Sequence, residues 1–586
     1  MGSGMIANRE YTSAHCRPSK PLKALGFRGL SLGLLALTGI ILLQGQARAE
    51  TSLVPYFFGI DGNSALVNLA DQTGASTFYT HGIIGQNVSA WVVDAQLAGT
   101  NLFPALGFTN LAATYAPAGV MTDPGVHATW CAALLGAYVP PGYYVMNTGL
   151  APGVTLGSAA TATSVNPDGS FSISSNSLSA YSYAAAHGDV LSTSIGDYSD
   201  NAGVGTFSRL IDSLALSHPN TTMVAAAGNA GPTPGSVGGP ASGYNAISVG
   251  ALDGPTNYST MASFSSRGPL QTAWYDGANT YSYAGGVSSR PGVDIVAPGS
   301  GILMPVEITS NSVSSYTIAG TSYSTPLVAG GAALLNSTAK TYFDASITNA
   351  ATQSVVIKAV LMNSADKLPG WDNGQQIVNG VITTTQALDW AMGAGRMNLN
   401  AAFSQYTTSA VITTADSISV SGFTESVEST GWAYGTAMMG GHNDYRLIDQ
   451  LLGGQQIAVT LAWMRDRTWN DTLGDYVDIA QAQLDLMIYR IMTGGAEQLV
   501  AESISPVSTT QELFFQVMNP GTYLIRVGYS TNLFDLSSSY AVQDYGMAWS
   551  VAGVPEPGSI ILFLTGGVFL LCKYAPRAFS IWRKGA

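Results

Sequence analysis

The stretch AGTSYSTPLVAGGAALL, residues 319–335, places a serine behind a glycine and ahead of a run of small and apolar residues. A run of this composition predicts a tightly packed helix that begins near Thr321 and Ser322. Either side chain could cap such a helix. A serine at a helix N-terminus could also be a nucleophile, provided that a base and an orienting acid lie elsewhere in the chain.

The composition of the 586-residue chain indicates a folded protein. Charged residues make up 10% of the chain and hydrophobic residues 46%, and there are 67 glycines. This composition is unlike that of disordered or nucleic-acid-binding proteins. The 22 basic and 35 acidic residues give a net charge of −13, which argues against a nucleic-acid partner.

The N-terminal segment has the three parts of a signal peptide. Basic residues precede the apolar run LSLGLLALTGIILL (30–43), and the small-residue sequence QARA follows it. The pattern predicts a signal peptide over residues 1–49, cleaved by signal peptidase after Ala49. The alternative is a membrane-spanning anchor, for which the apolar run is short.

The C-terminal segment, residues 554–586, combines a Pro-Glu-Pro motif, the apolar run Ile560–Cys572 and a basic end. This order resembles the PEP-CTERM sorting signal of bacteria that carry an exosortase. The resemblance implies a Gram-negative host, removal of the tail during export, and a final location in the cell envelope or extracellular matrix. Before processing, a short transmembrane segment would bring the tail into contact with the membrane. A plain C-terminal membrane anchor is the alternative.

Cysteine usage agrees with these two terminal assignments. Cys16 and Cys572 lie in the terminal segments, so Cys131 is the single cysteine of the predicted mature protein. No intramolecular disulfide can form there, and the exported fold depends on its hydrophobic core alone. Cys131 lies in an apolar run, which favours a buried thiol.

Short apolar runs alternate with helix-like segments between residues 90 and 400. Such runs predict strands buried on both faces of a parallel sheet. Helical spacing of apolar residues marks segments 206–219 and 354–368. The alternation predicts an α/β domain. The runs are WVVDA (91–95), DVLSTSIG (189–196), TMVAAAGNAG (222–231), NAISVGAL (245–252) and VDIVAPG (293–299).

The pattern changes after Phe403. Runs such as QQIAVTLAWMRD and NPGTYLIRVGYS alternate polar and apolar residues and are separated by Gly, Asn and Pro turns. This predicts a smaller all-β domain, a sandwich or jelly roll, over residues 405–553.

A base and an acid for Ser322 can be selected by their positions. His127, like Ser322, opens a small-residue segment of helical length (128–137). Asp94 ends the apolar run WVV, which places it at the carboxyl end of a predicted strand. A buried carboxylate needs a partner, and His127 is the partner that the chain offers.

The order Asp94, His127, Ser322 resembles that of the subtilisin-like serine peptidases. The resemblance covers residues 85–403. It implies a three-layer α/β domain with a parallel sheet over residues 85–404, after a lead-in at 50–84, and hydrolysis of polypeptide substrates. The blocks that carry it are QNVSAWVVDAQLAG, HATWCAALLG, GLAPGVTL, SFSSRGP, VDIVAPGSGIL, AGTSYSTPLVAGGAALL, IKAVLMNSAD and GAGRMNLNAA.

The resemblance implies a role for each site residue. Ser322 would attack the peptide carbonyl, His127 would transfer the proton, and Asp94 would orient His127. Asn229, in VAAAGNAGP, would stabilise the oxyanion. The alternative for Asn229 in isolation is a turn residue in the left-handed conformation.

The resemblance also implies two walls that hold an extended peptide as an added strand. Close packing of sheet and helix would explain the same small residues. The chemistry requires no cofactor or metal ion. Calcium is common in the family, but the sequence has no readable ligand set for it. The six wall residues are Ser194, Ile195, Gly196, Ala226, Ala227 and Gly228.

Three features depart from the family pattern. Trp130 stands where the family has a second histidine, and Gln96 stands where it has a glycine. Only 44 residues separate Ala49 from Asp94, too few for the family's inhibitory propeptide. Folding would then proceed without a propeptide or with help from the C-terminal part. The alternative to a peptidase is a non-catalytic envelope or matrix protein on the same scaffold.

Overall fold

The computed structural model describes residues 10–11, 58–60, 66–100, 102, 109–138, 148–166, 170–174, 176–283, 289–309, 312–413 and 422–553. The helices within these ranges are α1 (Leu69–Thr73), α2 (Ser76–Thr80), α3 (Val126–Gly136), α4 (Ser179–His187), α5 (Thr206–Ser217), α6 (Thr321–Tyr342), α7 (Ala345–Ala351), α8 (Ser354–Asn363) and α9 (Leu399–Tyr406).

The strands up to residue 412 are β1 (Glu10–Tyr11), β2 (Phe58–Ile60), β3 (Leu66–Asn68), β4 (Ser89–Asp94), β5 (Leu111–Tyr115), β6 (Thr155–Ala160), β7 (Ala162–Val165), β8 (Phe171–Ile173), β9 (Val190–Thr193), β10 (Thr222–Ala226), β11 (Ile247–Leu252), β12 (Leu270–Gln271), β13 (Ala273–Tyr275), β14 (Thr280–Ser282), β15 (Ser289–Arg290), β16 (Ile295–Pro298), β17 (Ile302–Thr309), β18 (Ser312–Ile318), β19 (Gln375–Val378), β20 (Val381–Thr384) and β21 (Ala410–Ile412).

A C-terminal β region follows. Its strands are β22 (Thr424–Val427), β23 (Thr430–Met438), β24 (His442–Leu447), β25 (Gln456–Trp463), β26 (Asp466–Asn470), β27 (Asp475–Ile491), β28 (Glu497–Ser503), β29 (Thr510–Gln516), β30 (Thr522–Asp535) and β31 (Val542–Ala552).

A seven-stranded sheet forms the centre of the first part of the chain. Its strand order is β16-β11-β10-β9-β4-β6-β5, and every neighbouring pair is parallel. Helices flank the sheet: α3 packs against α6, and α4 packs against α5. This arrangement confirms the predicted α/β class, in which short buried strands alternate with covering helices.

The five predicted apolar runs overlap β4, β9, β10, β11 and β16, and their residues are almost entirely buried. The predicted helix at 206–219 is α5, and the one at 354–368 is α8, which ends at Asn363. Two strands of the sheet carry no such apolar run. β5 is an exposed edge strand, and β6 is TLGSAA, whose small residues lack a strand signature.

The C-terminal β region contains two sheets of mixed pairing. One has the order β19-β20-β28-β27-β30-β24-β22 with β26 paired to β27, and the other has the order β21-β23-β31-β25-β29. Their inner faces share one buried cluster that includes Trp463, Ile525 and Trp549. The all-β prediction is therefore confirmed. One hairpin comes from earlier in the chain, since β20 at 381–384 pairs in parallel with β28.

The first part of the chain and the C-terminal β region share a hydrophobic core. The main buried cluster spans the parallel sheet and its helices, and it also contains Trp432, Met464 and Ala548 of the β region. Helix α8 packs against β25 and β31. At Gly546 a β-carbon would lie only 2.3 Å from the carbonyl oxygen of Val355. A glycine is needed there because the two backbones touch.

The predicted terminal signals fall almost wholly outside the described residues. Of the predicted signal peptide only Glu10–Tyr11 is described, and it pairs with β8. The predicted sorting tail at 554–586 is not described. Among the helices in the described ranges, none has the length and apolar character that crossing a membrane requires.

Candidate active site

Asp94 and His127 form a hydrogen-bonded pair at the carboxyl edge of the sheet. Asp94 is the last residue of β4 and is 1% exposed. Its Oδ2 lies 2.8 Å from Nδ1 of His127, the second residue of α3. The backbone N–H of Ala95 donates to the other carboxylate oxygen at 2.7 Å. The carboxylate is therefore held on both oxygens and orients the imidazole ring.

The protonation of His127 reflects this carboxylate. Burial by itself would lower the pKa of His127, because it disfavours the charged ring. The charge of Asp94 and the hydrogen bond to it act in the opposite direction. The net result is a pKa well above the usual value of 6.5. His127 therefore keeps its proton to a higher pH than a histidine in water does.

Ser322 is the second residue of α6 and is fully buried. Its hydroxyl donates to the carbonyl oxygen of Ser194 at 3.3 Å. The Nε2 atom of His127 is buried and has no hydrogen-bond partner within the described ranges. The structure thus brings Ser322 and His127 to the starts of two packed helices without a hydrogen bond between their side chains.

The backbone carbonyl of Ser322 is released from the helix by Pro326. A proline has no N–H to return to the residue four positions earlier, which here is Ser322. The free carbonyl accepts from Ser194 Oγ at 2.9 Å and from Cys131 Sγ at 3.4 Å. Burial raises the pKa of the Cys131 thiol, so the thiol stays protonated and can donate. The side chain that directly follows β9 and one from α3 therefore hold the first turn of α6.

Asn229 is tied to the start of α6 by Thr321. Its Oδ1 accepts from the backbone N–H of Thr321 at 2.9 Å and from the Thr321 hydroxyl at 3.0 Å. The same hydroxyl accepts from the N–H of Gly228 at 3.1 Å. With Oδ1 occupied, the amide nitrogen of Asn229 is on the side of Gly320, where a β-carbon would lie 3.4 Å from it. This nitrogen is a donor beside the helix start that carries Ser322.

Thr321 is a site residue that sequence reasoning did not identify. The sequence indicates Thr321 only as a possible cap, yet the N-cap of α6 is Gly320, and neither Thr321 nor Ser322 caps the helix with its side chain. The relevant contact joins residues 92 positions apart. The signal in the sequence is the order Gly-Thr-Ser. A hydroxyl on the first residue of a helix accepts no hydrogen bond from an N–H of that helix, so it is available for a partner elsewhere in the chain.

Comparison with known families identifies the first part of the chain. Residues 112–395 match the model of the subtilase family. This segment is a subtilase domain. It includes His127, Asn229 and Ser322 and begins after Asp94.

Curated relatives resemble a part of the chain. The membrane-bound transcription factor site-1 proteases of mouse (Mus musculus), rat (Rattus norvegicus) and human (Homo sapiens) are each 34% identical over 197 residues. The matched segment is 33% of this chain and 16% of each relative. The chain thus spans about a sixth of the length of these relatives.

The six predicted wall residues lie at the ends of two adjacent strands of the subtilase domain. β9 and β10 are parallel neighbours, so the residues that follow them meet at one edge of the sheet. Packing explains part of their small size. A β-carbon at Gly196 would be 2.7 Å from the Gly239 carbonyl oxygen, and one at Gly228 would be 2.7 Å from the Tyr198 ring. Gly228 also has a φ of 107°, which favours glycine.

The two substitutions in the family blocks leave the Asp94–His127 pair intact. Gln96 packs against Gly125, the residue that precedes α3. A β-carbon at Gly125 would lie only 2.7 Å from Gln96 Cβ. Trp130 is buried, and its ring centre lies 6.4 Å from that of Tyr323, which in turn lies 5.8 Å from the ring centre of His127.

One group of potential metal ligands overlaps this site. Ligand atoms of Asp94, His127 and Cys131 lie within 4.8 Å of one another, and no other such group of His, Cys, Asp or Glu was found among the described residues. A single carboxylate does not match the oxygen-rich coordination of calcium. Calcium binding therefore stays a prediction from the family resemblance.

Proposed function

We propose that the chain is an exported serine endopeptidase. Ser322 attacks the carbonyl of an internal peptide bond, and His127 accepts the hydroxyl proton and returns it to the leaving amine. Asp94 keeps the imidazole in the productive tautomer. Asn229 and the N–H of Ser322 donate to the oxyanion.

The observation that carries this proposal is the 2.8 Å hydrogen bond between Asp94 Oδ2 and His127 Nδ1. A nucleophilic serine needs a base, and the base needs an acid that orients it. The Asp94–His127 pair supplies the base and the acid of this arrangement. The nucleophile is supported by the position of Ser322 at the start of α6, next to Asn229 and Thr321. The match to the subtilase family over residues 112–395 supports the same chemistry.

The proposed reaction requires one local movement. The Ser322 hydroxyl donates to Ser194 and must turn toward Nε2 of His127, which is buried without a hydrogen-bond partner in the described part. A serine reaches a new direction by rotation about one side-chain bond. A peptide strand that enters beside Ser194 would take over part of that hydrogen bonding.

Labelling with a fluorophosphonate probe tests the nucleophile. We expect labelling that increases from about pH 6 to about pH 10, as His127 loses its proton, and none in Ser322→Ala. Ser337→Ala is the matched control, because Ser337 is equally buried in α6 and also donates to one backbone carbonyl. Absence of labelling at every pH would favour a non-catalytic protein on the subtilase scaffold.

We also propose that both termini are processed in a Gram-negative host. Signal peptidase would cut after Ala49, and an exosortase would remove the tail that begins near Pro555 during export to the envelope or matrix. Mass spectrometry of the mature protein tests both steps. We expect an N-terminus at Glu50 and a C-terminus near Pro555, whereas an intact Ala586 would favour a membrane anchor.

A further inference from the structure

A small cavity lies between the subtilase domain and the C-terminal β region. Its volume is about 20 Å³, enough for one species of the size of a water molecule. Tyr244, Arg290 and Lys358 line it from the subtilase domain, and Ser508 and Thr510 line it from the β region. A bound species would therefore contact both parts of the chain.

Arg290 is a buried cation with no carboxylate partner among the described residues. It is 4% exposed. Its Nη1 donates to the carbonyl of Gly243 at 3.0 Å, and its Nη2 donates to the carbonyl of Ser242. Its Nε is buried and has no hydrogen-bond partner in the described part of the chain. Two neutral carbonyls leave the charge of the guanidinium uncompensated.

Tyr244 is the centre of the positive charge at this cavity. The guanidinium carbons of Arg290 and Arg465 each lie 4.0 Å from its ring centre, and that of Arg467 lies 5.2 Å away. Burial by itself would raise the pKa of Tyr244, but the three arginines lower it below its usual value. The buried Tyr244 hydroxyl has no hydrogen-bond partner within the described ranges.

The other charges around the cavity balance one another. Two arginines and one lysine are each close to an aspartate, so these groups together are neutral. Arg290 remains as one uncompensated positive charge. The pairs are Arg465–Asp478 at 2.9 Å, Arg467–Asp212 at 2.8 Å and Lys358–Asp294 at 3.0 Å.

We propose that the cavity lined by Tyr244, Arg290 and Ser508 binds a small monovalent anion of the halide class. Among the residues that line the cavity, Arg290 Nε and the Tyr244 hydroxyl are buried donors without a hydrogen-bond partner in the described part of the chain. Ser508 Oγ accepts from the N–H of Thr510 at 3.1 Å and has no acceptor in the described residues, so its hydrogen is also available.

Charge favours an anion over a water molecule. A water molecule would satisfy the donors but would leave a buried guanidinium without a counter-charge, which is unfavourable because burial removes the hydration of the charge. A single halide supplies the missing charge and is little larger than a water molecule. Because residues of both parts line the cavity, the anion would also stabilise their contact.

Thermal unfolding in matched salts tests this site. The full chain carrying Ser322→Ala, which prevents self-digestion, is compared in sodium chloride and in sodium gluconate of equal ionic strength. Gluconate is too large for the cavity. We expect a saturable rise of the unfolding midpoint by about 2 °C or more in chloride. The rise should be lost in Arg290→Gln and kept in Arg490→Gln, which removes a partly exposed guanidinium bonded to Pro520.

Two further measurements test the anion site without the Arg290→Gln variant. Crystals grown in bromide should show an anomalous peak in the cavity. Identical unfolding curves of the Ser322→Ala chain in both salts, or no anomalous peak, would overturn the proposal in favour of a water molecule. Tyrosinate absorbance near 295 nm at neutral pH that disappears in Tyr244→Phe would overturn it too, because an ionised Tyr244 would then be the counter-charge.

Discussion

Asn229 and Thr321 act as one unit at the residue scale. The amide oxygen of Asn229 accepts two hydrogen bonds from Thr321, one from its backbone and one from its side chain. These bonds determine which end of the amide is directed to the start of α6. The donor in the proposed oxyanion site therefore depends on a residue that does not itself touch the oxyanion.

Substitutions at these two positions should affect turnover by different amounts. Asn229→Ala removes the donor and should lower kcat about a hundred- to a thousand-fold. Thr321→Val removes the hydroxyl, and with it the hydrogen bond to Asn229 Oδ1 and the one from the Gly228 N–H. The bond that positions Asn229 is worth about 0.5–1.5 kcal/mol, so kcat should fall about two- to ten-fold. Steady-state kinetics on a peptide substrate measures both.

Thr321→Ser distinguishes positioning from packing. Serine keeps the hydroxyl and loses the methyl group, so we expect it to restore most of the kcat lost in Thr321→Val. A KM that rises in both Thr321 variants while kcat stays unchanged would contradict the proposed role, because it would indicate an effect on binding alone.

The raised pKa of His127 predicts alkaline activity. A base works only in its neutral form, so kcat/KM should rise with pH above 6.5 and reach its plateau beyond the raised pKa. Asp94→Asn removes the charge that raises the pKa, and the rise should then move to lower pH while kcat falls about 10⁴-fold. A pH profile that Asp94→Asn leaves unchanged would contradict the assigned pair.

The same pair links stability to pH. A group whose pKa is higher in the folded than in the unfolded state stabilises the fold at low pH. The contribution is complete below the unfolded value of about 6.5 and is lost as the pH rises through the raised folded value.

The sequence predicts the candidate site residues better than it predicts the contacts that these residues make. Asp94 and His127 were predicted as a pair because each ends or begins a regular element, and a buried carboxylate needs a cation. Thr321 and Arg290 could not be assigned, because their partners lie far away in the sequence. The direction of the Ser322 hydroxyl, toward Ser194, also depends on a tertiary contact.

At the scale of elements, close packing determines where the two reactive helices lie. Helix α6 carries Ser322 and α3 carries His127, and the helices touch at Gly330. A β-carbon at Gly330 would lie 2.9 Å from Leu150 Cβ and 3.1 Å from the carbonyl oxygen of Leu135, in α3. Neither atom can move without a shift of backbone.

Gly330→Ala should therefore separate the two helices. We expect a loss of stability of about 1–3 kcal/mol from overpacking and a fall in kcat. Gly331→Ala is the matched control, because its β-carbon would meet the movable ends of Leu399 and Met397. Denaturant unfolding and kinetics measure both. Equal losses in the two variants would show that Gly330 has no special part in spacing the helices.

The elements that the sequence predicted are those with a strong apolar signal. The sequence predicts five buried strands and two helices because continuous apolar runs mark strands buried on both faces, and apolar residues at helical spacing mark the helices. The sequence does not predict β6, whose residues are small. At Gly157 the reason is the Trp91 ring, which a β-carbon there would meet at 2.3 Å. The glycine in β6 is therefore explained by Trp91 in β4, a contact that the sequence of β6 does not show.

At the scale of the whole molecule, buried charges join the two parts of the chain. Arg467 of β26 contacts Asp212 of α5 at 2.8 Å and Asp478 of β27 at 2.6 Å, and all three side chains are inaccessible to solvent. Lys367, before the β region, contacts buried Glu512 at 2.5 Å. The change of sequence pattern after Phe403 indicated a boundary but gave no sign of these links.

Loss of Arg467 should destabilise both parts together. Arg467→Met leaves buried Asp212 without its cation and leaves Asp478 with Arg465 alone, and it should cost about 3–5 kcal/mol. Arg396→Met, which breaks a more exposed pair with Asp366, should cost about 1 kcal/mol or less. Hydrogen exchange read out separately for α5 and β25 measures the effect. Faster exchange in β25 alone would mean that the two parts unfold independently.

The contact of β31 with α8 also has a consequence for timing. A chain that is made from its N-terminus exposes the apolar face of α8 until residues 542–552 have left the ribosome. At about 5–20 residues per second, the roughly 150 residues after the subtilase domain take on the order of ten seconds to synthesise. During that interval the subtilase domain lacks this covering strand. The finished fold of the subtilase domain therefore waits until β31 has been translated.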